Sequence, residues 1–248
     1  MCYYNSMSKK AKELAARYGR KIDIIEIVKE IIEEQSRINA FSNPAYPIIT
    51  SDDEIQALNW GLIPFWVKPK EDTEKDRDEA EKDAFSIRKG TYNARSETIF
   101  ERPSFRTPIL SRRCLIPSTG YFEYHHNNDK TKTPYLIYLP DEEVFSMAGV
   151  YDSWISPKTG KVYNTFSMIT TQANELTYEI HNGGKNPHRM PVIINKQDEE
   201  KWLDPKLNKL DIQSMLKPFE ASLMDAYAVD RNLFLNGNPH NPSIMERV

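Results

Sequence analysis

The sequence predicts an α+β fold in which a mainly antiparallel, barrel-like sheet is flanked by helices. Three observations support this prediction: short β-prone segments follow one another through the middle of the chain, turn-forming residues separate them, and helical periodicity is concentrated towards the two ends. The chain has 248 residues, of which 39% are hydrophobic, so it can bury a substantial core. We expect one domain over residues 1–248, because no repeat or linker interrupts the pattern.

Helices are predicted near both ends of the chain. Residues 8–18 begin with Ser8, a residue type that caps helix starts, and residues 22–35 place five apolar side chains on one helical face. Residues 197–203 and 211–217 are weaker helix candidates. We expect these helices to flank the sheet.

Strands are predicted between these helices. Residues 54–67 are rich in aromatic side chains, and residues 112–124 are β-prone with a turn in the middle. Further strand candidates are residues 134–140, 144–155, 162–171 and 190–194. In the aromatic segment we expect Trp60 in the core, whereas Phe65 or Trp66 at a loop tip could stack on the bases of a single strand.

The net charge of −3 does not indicate a nucleic-acid-binding protein, but the charge is unevenly distributed. Residues 71–83 hold eight acids and three bases, so the rest of the chain carries +2. We predict that this acidic segment is a solvated helix or loop. A local basic groove elsewhere is compatible with the acidic total.

Cysteine usage and hydropathy indicate a cytoplasmic protein. Cys2 and Cys114 are too few for a disulfide scaffold, and Cys114 is expected to be a small core residue. Clustered cysteine and histidine patterns are absent from the sequence, so we expect neither a metal nor a cofactor. No apolar run approaches the roughly 20 residues of a membrane span, and the start lacks the apolar segment of a secretory signal, so we expect no membrane partner.

Cys2 is the first candidate for chemistry. If Met1 were removed, Cys2 would carry an α-amine that titrates at about 7.7–8.0 and a thiol that titrates at about 8.5. Such an amine can form an imine with an aldehyde, onto which the thiol closes as a five-membered ring. The same residue could instead serve as an N-terminal nucleophile for amide hydrolysis. A frayed terminus without a role fits the position equally well.

Polar residues in TYNARSETIF, residues 91–100, form the second candidate site. Asn93, Arg95 and Glu97 alternate at strand spacing, so we predict that their side chains project to one face. This face is either solvated surface or a site in which Arg95 holds a phosphate and Asn93 orients a reacting group.

An acid and two histidines complete the candidates. Glu123 lies among tyrosines and a phenylalanine, and if it faces inward it would be partly desolvated and suited to proton transfer; an outward position is equally compatible with the pattern. His181 and His188 flank a Gly-Gly loop, and a loop histidine is either a candidate acid or base, or a structural residue.

Taken together and in this order, these motifs resemble those of the SOS response-associated peptidase (SRAP) family of abasic-site processing proteins. The resemblance is carried by MC at the start, WGLIPFW, NARSET, RRCLIPSTGYFEY, FSMAGVYDSW, FSMITTQAN, and IHN followed by RMPVII. It extends from residue 2 to about residue 203.

The resemblance implies an enzyme of the SOS and DNA damage response that recognises abasic sites in single-stranded DNA. Family members remove Met1 by autoproteolysis, and Cys2 then attacks the ring-opened sugar to form a thiazolidine DNA–protein crosslink that protects the lesion. Lyase activity is left open. We expect a monomer without cofactors that is cytoplasmic and becomes nucleoid-associated when it binds DNA.

Individual roles follow from the same resemblance. Asn93 would contact the Cys2 adduct, Glu123 would assist Met1 removal and imine formation, and the histidine of the RMP element would help to open the sugar and promote crosslink reversal. The predicted DNA-binding residues are Phe65, Trp66, Arg95 and Arg189.

The sequence departs from the family pattern at two places. Tyr3 and Tyr4 stand where the family has Gly and Arg, so one phosphate contact is missing or replaced. Pro187 holds the usual place of the histidine; the spacing from the preceding segment favours His181, with His188 as the alternative.

Two other functions are compatible with the same residues. The chain could be an N-terminal-nucleophile cysteine amidohydrolase that acts on a small amide. It could also be a non-enzymatic single-strand-binding protein that uses Trp66 and Arg95 without covalent chemistry.

Overall fold

The computed structural model of this protein describes residues 2–9, 11–21 and 35–248. Most of the predicted helix 22–35 therefore lies outside the described residues, and its last residue, Gln35, begins a strand. The described helices are α1 (Ala11–Tyr18), α2 (Glu74–Arg88), α3 (Pro108–Ser111), α4 (Glu175–Ile180), α5 (Glu199–Leu203), α6 (Lys209–Met215) and α7 (Arg231–Asn236). Short 3-10 turns cover Ala40–Ser42, Ser96–Thr98, Lys196–Asp198, Ala221–Leu223 and Pro242–Met245.

Short strands make up the rest of the regular structure. The first seven are β1 (Tyr4–Met7), β2 (Gln35–Asn39), β3 (Ala45–Ile48), β4 (Gln56–Trp60), β5 (Asn93–Arg95), β6 (Arg113–Ser118) and β7 (Gly120–His126). The others are β8 (Lys132–Tyr138), β9 (Phe145–Ile155), β10 (Val162–Gln172), β11 (Arg189–Pro191), β12 (Ile193–Ile194) and β13 (Asp225–Ala228).

The strands form two sheets. The first has the order β13-β8-β7-β1-β2 and is antiparallel throughout. The second is built around β9 and β10; β4 and β5 run parallel to β10, and its other pairs are antiparallel. The predicted α+β class with mainly antiparallel sheets is therefore confirmed. The named strands of the described residues do not close into a ring, so the barrel-like part is not confirmed, although an isolated bridge between Ile49 and Leu115 links the end of β3 to β6.

Most predicted elements lie close to observed ones. β6 and β7 occupy the predicted strand 112–124, with Thr119 between them, and β8, β9 and β10 match their predicted segments to within two residues. The predicted strand 190–194 is two short strands, because Val192 separates β11 from β12. The acidic segment contributes to α2, whose start is capped by Thr73. Trp60 and Cys114 are buried in the core, as expected.

β1 is an interior strand of the first sheet, between β7 and β2. Tyr4 lies opposite Asn39 of β2 on one side and Phe122 of β7 on the other. This strand was not predicted, because four residues with two central polar side chains give no clear alternation. Asn5 is nevertheless buried, and its amide donates a hydrogen bond of 2.6 Å to the Tyr46 hydroxyl. The result is that the chain's first residues run through the interior beside β7.

No helix in the described ranges is long and apolar enough to cross a membrane. The main apolar cluster contains side chains from both sheets, among them Tyr121 and Ile137 from the first and Phe166 and Met168 from the second. Cys2 belongs to this cluster, so the candidate nucleophile lies in the core between the sheets.

Candidate active site

Cys2 is buried and held by hydrogen bonds at its backbone. Its carbonyl oxygen accepts a hydrogen bond of 2.9 Å from the Asn93 amide, and its thiol lies 3.5 Å from the Tyr4 carbonyl. Burial raises the pKa of the Cys2 thiol well above its ordinary value, and the nearby Glu123 carboxylate raises it further. The buried thiol is therefore protonated at neutral pH. These contacts argue against the interpretation of a frayed terminus.

Asn93 reaches Cys2 because β5 adds to the middle of the second sheet. Asn93 lies opposite Met168 in a parallel pair with β10, and its side chain is buried. While the Asn93 nitrogen donates to Cys2, the side-chain oxygen is buried and lacks a hydrogen-bond partner in the described part of the chain. A buried acceptor of this kind beside a nucleophile is suited to accept a hydrogen bond from a bound substrate or intermediate.

Glu123 and His181 form a buried pair next to Cys2. Glu123 faces inward from β7, and its Oε2 lies 3.8 Å from Nε2 of His181; both side chains are less than 10% exposed. His181 follows α4, whose start Asn174 caps, and its amide donates to the Thr177 carbonyl. Burial lowers the pKa of His181 below its ordinary value, although the Glu123 carboxylate opposes that shift. A neutral imidazole beside a carboxylate can exchange protons with a substrate.

The other predicted histidine lies elsewhere. The His188 ring stacks on Tyr178 with centroids 3.8 Å apart, and its Nδ1 is 3.1 Å from the Tyr178 carbonyl. Its φ of 55° is in the left-handed region, at the point where the Gly-Gly loop turns back into β11. His188 thus fixes the end of a loop, whereas His181 is the imidazole that faces Glu123.

A groove rich in cations opens beside these residues. It has a volume of about 630 Å³, and Asn93 is among the residues that line it. The cations along it are Lys89, Arg95, Arg102 and Lys185, and its described lining contains no acidic residue. We call it the cationic groove. Arg95 is exposed there and donates a hydrogen bond to the Asn186 side chain.

The two predicted aromatic contacts differ in position. Trp66 is 41% exposed, lines the cationic groove and donates a hydrogen bond of 3.1 Å to the Pro103 carbonyl. Phe65 is 45% exposed, and its ring lies under the Arg112 guanidinium at 5.5 Å. Trp66 is therefore the one of the pair that the groove includes.

The predicted alternation of Asn93, Arg95 and Glu97 holds only as far as Arg95. β5 ends there, and the 3-10 turn Ser96–Thr98 directs Glu97 to Arg189, which donates hydrogen bonds of 2.5 and 2.9 Å to its carboxylate. The strand prediction for Glu97 was therefore wrong. Arg189 is buried and also donates to the Thr170 carbonyl at 2.8 Å, so its guanidinium is directed into the protein.

Sequence reasoning did not identify the aromatic residues around Cys2. Tyr3, Phe41 and Tyr92 pack together at the edge of the cationic groove. They come from three distant segments, so spacing alone could not bring them together. In the described residues, no group of three or more histidine, cysteine or acidic side chains could hold a metal ion.

Known proteins are similar to this chain. A family model described as SOS response associated peptidase (SRAP) matches residues 1–234. The abasic site processing protein YoqW of Bacillus subtilis is 37% identical over 197 residues, which cover 79% of this chain and 78% of the relative. The abasic site processing protein HMCES of Gallus gallus is 30% identical over 192 residues, which cover 69% of this chain and 52% of the relative.

Solved structures share the fold. The crystal structure of a protein from Bacteroides thetaiotaomicron is 52% identical, covers 100% of both chains and superposes with a TM-score of 0.90. That of a protein from Bordetella bronchiseptica is 21% identical, covers 92% of this chain and all of its own, and has a TM-score of 0.72, which indicates a common fold alone.

Proposed function

The chain belongs to the SOS response associated peptidase (SRAP) family, and on that premise we propose that it processes abasic sites in single-stranded DNA. In this proposal the protein senses the lesion, removes Met1 from itself, and links Cys2 covalently to the abasic sugar as a thiazolidine. The crosslink would protect the lesion during the response to DNA damage. The relatives named as abasic site processing proteins support the general activity.

One observation carries the proposal: four residues from distant parts of the chain converge at one place. The Asn93 amide is 2.9 Å from the Cys2 carbonyl, and Glu123 and His181 lie 3.8 Å apart where the carboxylate influences the Cys2 thiol. This convergence provides a nucleophile, an orienting amide and an acid–base pair, which together are what addition to a carbonyl requires.

The proposed covalent chemistry has three steps. Hydrolysis of the Met1–Cys2 peptide bond consumes one water and releases methionine, with Glu123 acting as the base. The freed Cys2 amine then adds to the aldehyde of the ring-opened sugar, and loss of one water gives an imine. Finally the thiol adds across the C=N bond, its proton passing to nitrogen, and the five-membered ring closes. The raised pKa of the Cys2 thiol agrees with this order, because a protonated thiol leaves the amine to react first.

Opening of the sugar is assigned to the Glu123–His181 pair. An abasic sugar is mostly a closed hemiacetal, so one group must remove the hydroxyl proton while another protonates the ring oxygen. Neutral His181 removes the hydroxyl proton and passes it to the Glu123 carboxylate, which then protonates the ring oxygen, so that both groups return to their starting forms. The same pair promotes reversal of the crosslink. His188 is not assigned this role, because its ring is stacked on Tyr178.

DNA binding is assigned to the cationic groove. Arg95 and Lys185 lie along it, and contacts with phosphates supply affinity that does not depend on sequence, as a lesion sensor requires. Trp66, which also lines the groove, would stack on a base. For Arg189 we propose a positioning role, because its guanidinium is bound to Glu97.

The test uses a short single-stranded oligonucleotide that carries one natural abasic site. Protein whose mass shows that Met1 is absent should give a covalent band that survives denaturation. Cys2→Ala should abolish this band and retain binding in a native gel, and Cys2→Ser should abolish the stable ring. An otherwise identical oligonucleotide with an intact base is the matched control.

The same experiment distinguishes the competing functions. A cysteine amidohydrolase would give no band and would turn over a small amide. A non-enzymatic binding protein would retard DNA in native gels only. Either result, obtained with protein that lacks Met1, would overturn the proposal.

A further inference from the structure

Aromatic side chains beside Cys2 have no part in the chemistry described above. Tyr3 stacks on Phe41, with ring centroids 4.7 Å apart and planes inclined by 30°. Tyr92 meets both rings edge-on, at 6.2 Å and 5.5 Å. Phe41 is 55% exposed although it is a large apolar residue, whereas Tyr92 is buried. We call Tyr3, Phe41 and Tyr92 the aromatic platform.

The platform is held in place before any ligand arrives. The Ala40 amide donates a hydrogen bond of 2.9 Å to the Tyr3 carbonyl, and the Phe41 amide donates one of 3.0 Å to the Asn39 side chain. Asn43 closes the turn in the left-handed region, with φ of 51°. Below, the Tyr92 carbonyl accepts a hydrogen bond of 2.9 Å from Trp60. A ligand that stacks here would therefore require little ordering of the protein.

The position of the platform indicates which ligand it would meet. Tyr3 and Tyr92 line the cationic groove together with Arg95 and Lys185, so a nucleotide whose phosphates follow these cations brings its base to Tyr3. One face of the Tyr3 ring is already packed on Phe41, and a base would continue that stack. Positive charge that follows a backbone, combined with aromatic rings that receive bases, is typical of single-strand binding.

We propose that the aromatic platform binds the base of the nucleotide next to the abasic site by stacking on Tyr3. The inference rests on the proposed function, which places the abasic sugar at Cys2. Consecutive Cα atoms are about 3.8 Å apart, so Tyr3 cannot be far from the sugar. Because the abasic nucleotide has no base, the neighbouring nucleotide supplies the nearest base that can stack on Tyr3. Tyr3 occupies a place where the family pattern has Gly, so the stacking is a property of this chain's own sequence.

Equilibrium binding to short single strands tests the proposal. The probe carries a tetrahydrofuran abasic analogue, which has no aldehyde and cannot crosslink, between two adenines. In two further probes, the 5′ or the 3′ adenine is replaced by a second tetrahydrofuran. Loss of one of these two bases should weaken binding by the wild-type protein about 5- to 150-fold, the range expected for one stacked base.

Substitutions assign that loss to the platform. The ratio compared is that of the dissociation constants for the base-deleted and the intact probe. Tyr3→Ala should bring this ratio close to one, and Phe41→Ala should reduce it partly. Tyr3→Phe keeps the ring and should keep the ratio. Ile155→Ala, which removes a side chain that is 62% exposed and does not line the cationic groove, is the matched control and should also keep it.

Each outcome either supports or overturns the proposal that a base stacks on Tyr3. If neither deleted base weakens wild-type binding, or if Tyr3→Ala preserves the ratio, the platform does not bind a base. Should Tyr3→Ala fail to fold, Tyr3→Leu preserves apolar packing without an aromatic face and gives the same decision. Crosslinking of the natural abasic oligonucleotide is measured in parallel. If the wild-type protein gives no crosslink, the proposed function is overturned. If it gives a crosslink but its binding to the probes does not depend on either neighbouring base, only the stacking proposal is overturned.

Discussion

Two pairs of a carboxylate and a basic side chain meet at Arg189 but differ in geometry. The Arg189 guanidinium binds the Glu97 carboxylate through two hydrogen bonds of 2.5 and 2.9 Å. The Arg189 carbonyl, in contrast, lies 2.9 Å from Nδ1 of His181, whose other nitrogen is 3.8 Å from Glu123. The first pair is close and bidentate, and the second is longer and enclosed.

The difference shows that the type of basic side chain determines whether such a pair can only stabilise the structure or can also transfer protons. An arginine keeps its proton under all ordinary conditions, so the Glu97–Arg189 pair can hold a structure but cannot transfer protons. An imidazole changes charge near neutral pH, so the Glu123–His181 pair can transfer them. Because Arg189 contacts both Glu97 and His181, the fixed pair positions the titratable one.

The largest effect that follows from this comparison is expected for Glu123→Gln. The amide keeps the shape of the side chain but cannot accept a proton, so the single-turnover rate of crosslinking should fall about 10²- to 10⁴-fold. The rate is measured on denaturing gels with protein from which Met1 has been removed beforehand, so that a defect in maturation is not mistaken for a defect in crosslinking. A loss of less than threefold, relative to wild type, would show that Glu123 is not the acid or base.

The pH dependence of crosslinking should give the next largest effect. Burial lowers the pKa of His181 below its ordinary 6.5, so the imidazole is neutral at pH 7 and becomes protonated only in more acidic solution. If the neutral form acts, the rate falls as the pH drops through this lowered pKa, by up to tenfold per pH unit. The Cys2 amine also titrates, and the ratio of the wild-type rate to the His181→Asn rate removes its contribution. A ratio that does not change with pH would contradict the role of His181.

Glu97→Gln should act on stability instead. The substitution leaves the buried Arg189 cation without its carboxylate, and we expect the free energy of unfolding to fall by about 1–3 kcal/mol, less than for a fully buried pair because Glu97 is 40% exposed. Denaturant titration measures the change, and Glu101→Gln, at an exposed position four residues further along the chain, is the matched control.

The effect of Glu97→Gln should disappear in acid. Burial raises the pKa of Glu97, but the hydrogen bonds from Arg189, a backbone hydrogen bond and the charges of Arg189 and Arg95 together outweigh that effect and hold the pKa below its ordinary 4.5. The stabilisation by this carboxylate is therefore present above pH 4.5 and is lost as the pH falls through the lowered value. A difference between wild type and Glu97→Gln that persisted below that value would show that the pair is not its source.

Local patterns predicted much of the fold and part of the candidate site. The long strands β9 and β10 were predicted because alternation and turns are signals within a single segment. The pairing of β10 with β4 and β5 is parallel and joins distant segments, so no local pattern records it. Trp60 was assigned to the core from the composition of its own segment, and its burial confirms the assignment.

The site shows the same limit. Cys2, Asn93, Glu123 and His181 were named from their chemistry and from the family resemblance, yet the sequence did not reveal that they meet. Arg189 is predicted to contact DNA, but an isolated arginine gives no sign of the carboxylate 92 positions away that binds it in the structure. The aromatic platform was missed for the same reason.

The position of β1 between β7 and β2 has a consequence for how the protein is made. The strand that carries Glu123 is synthesised after β1 and is completed at His126, and α4 with His181 follows later still. A nascent chain therefore contains Cys2 well before it contains the residues that surround Cys2 in the folded protein. In the proposed function, Cys2 can react only after the chain has been synthesised at least as far as His181.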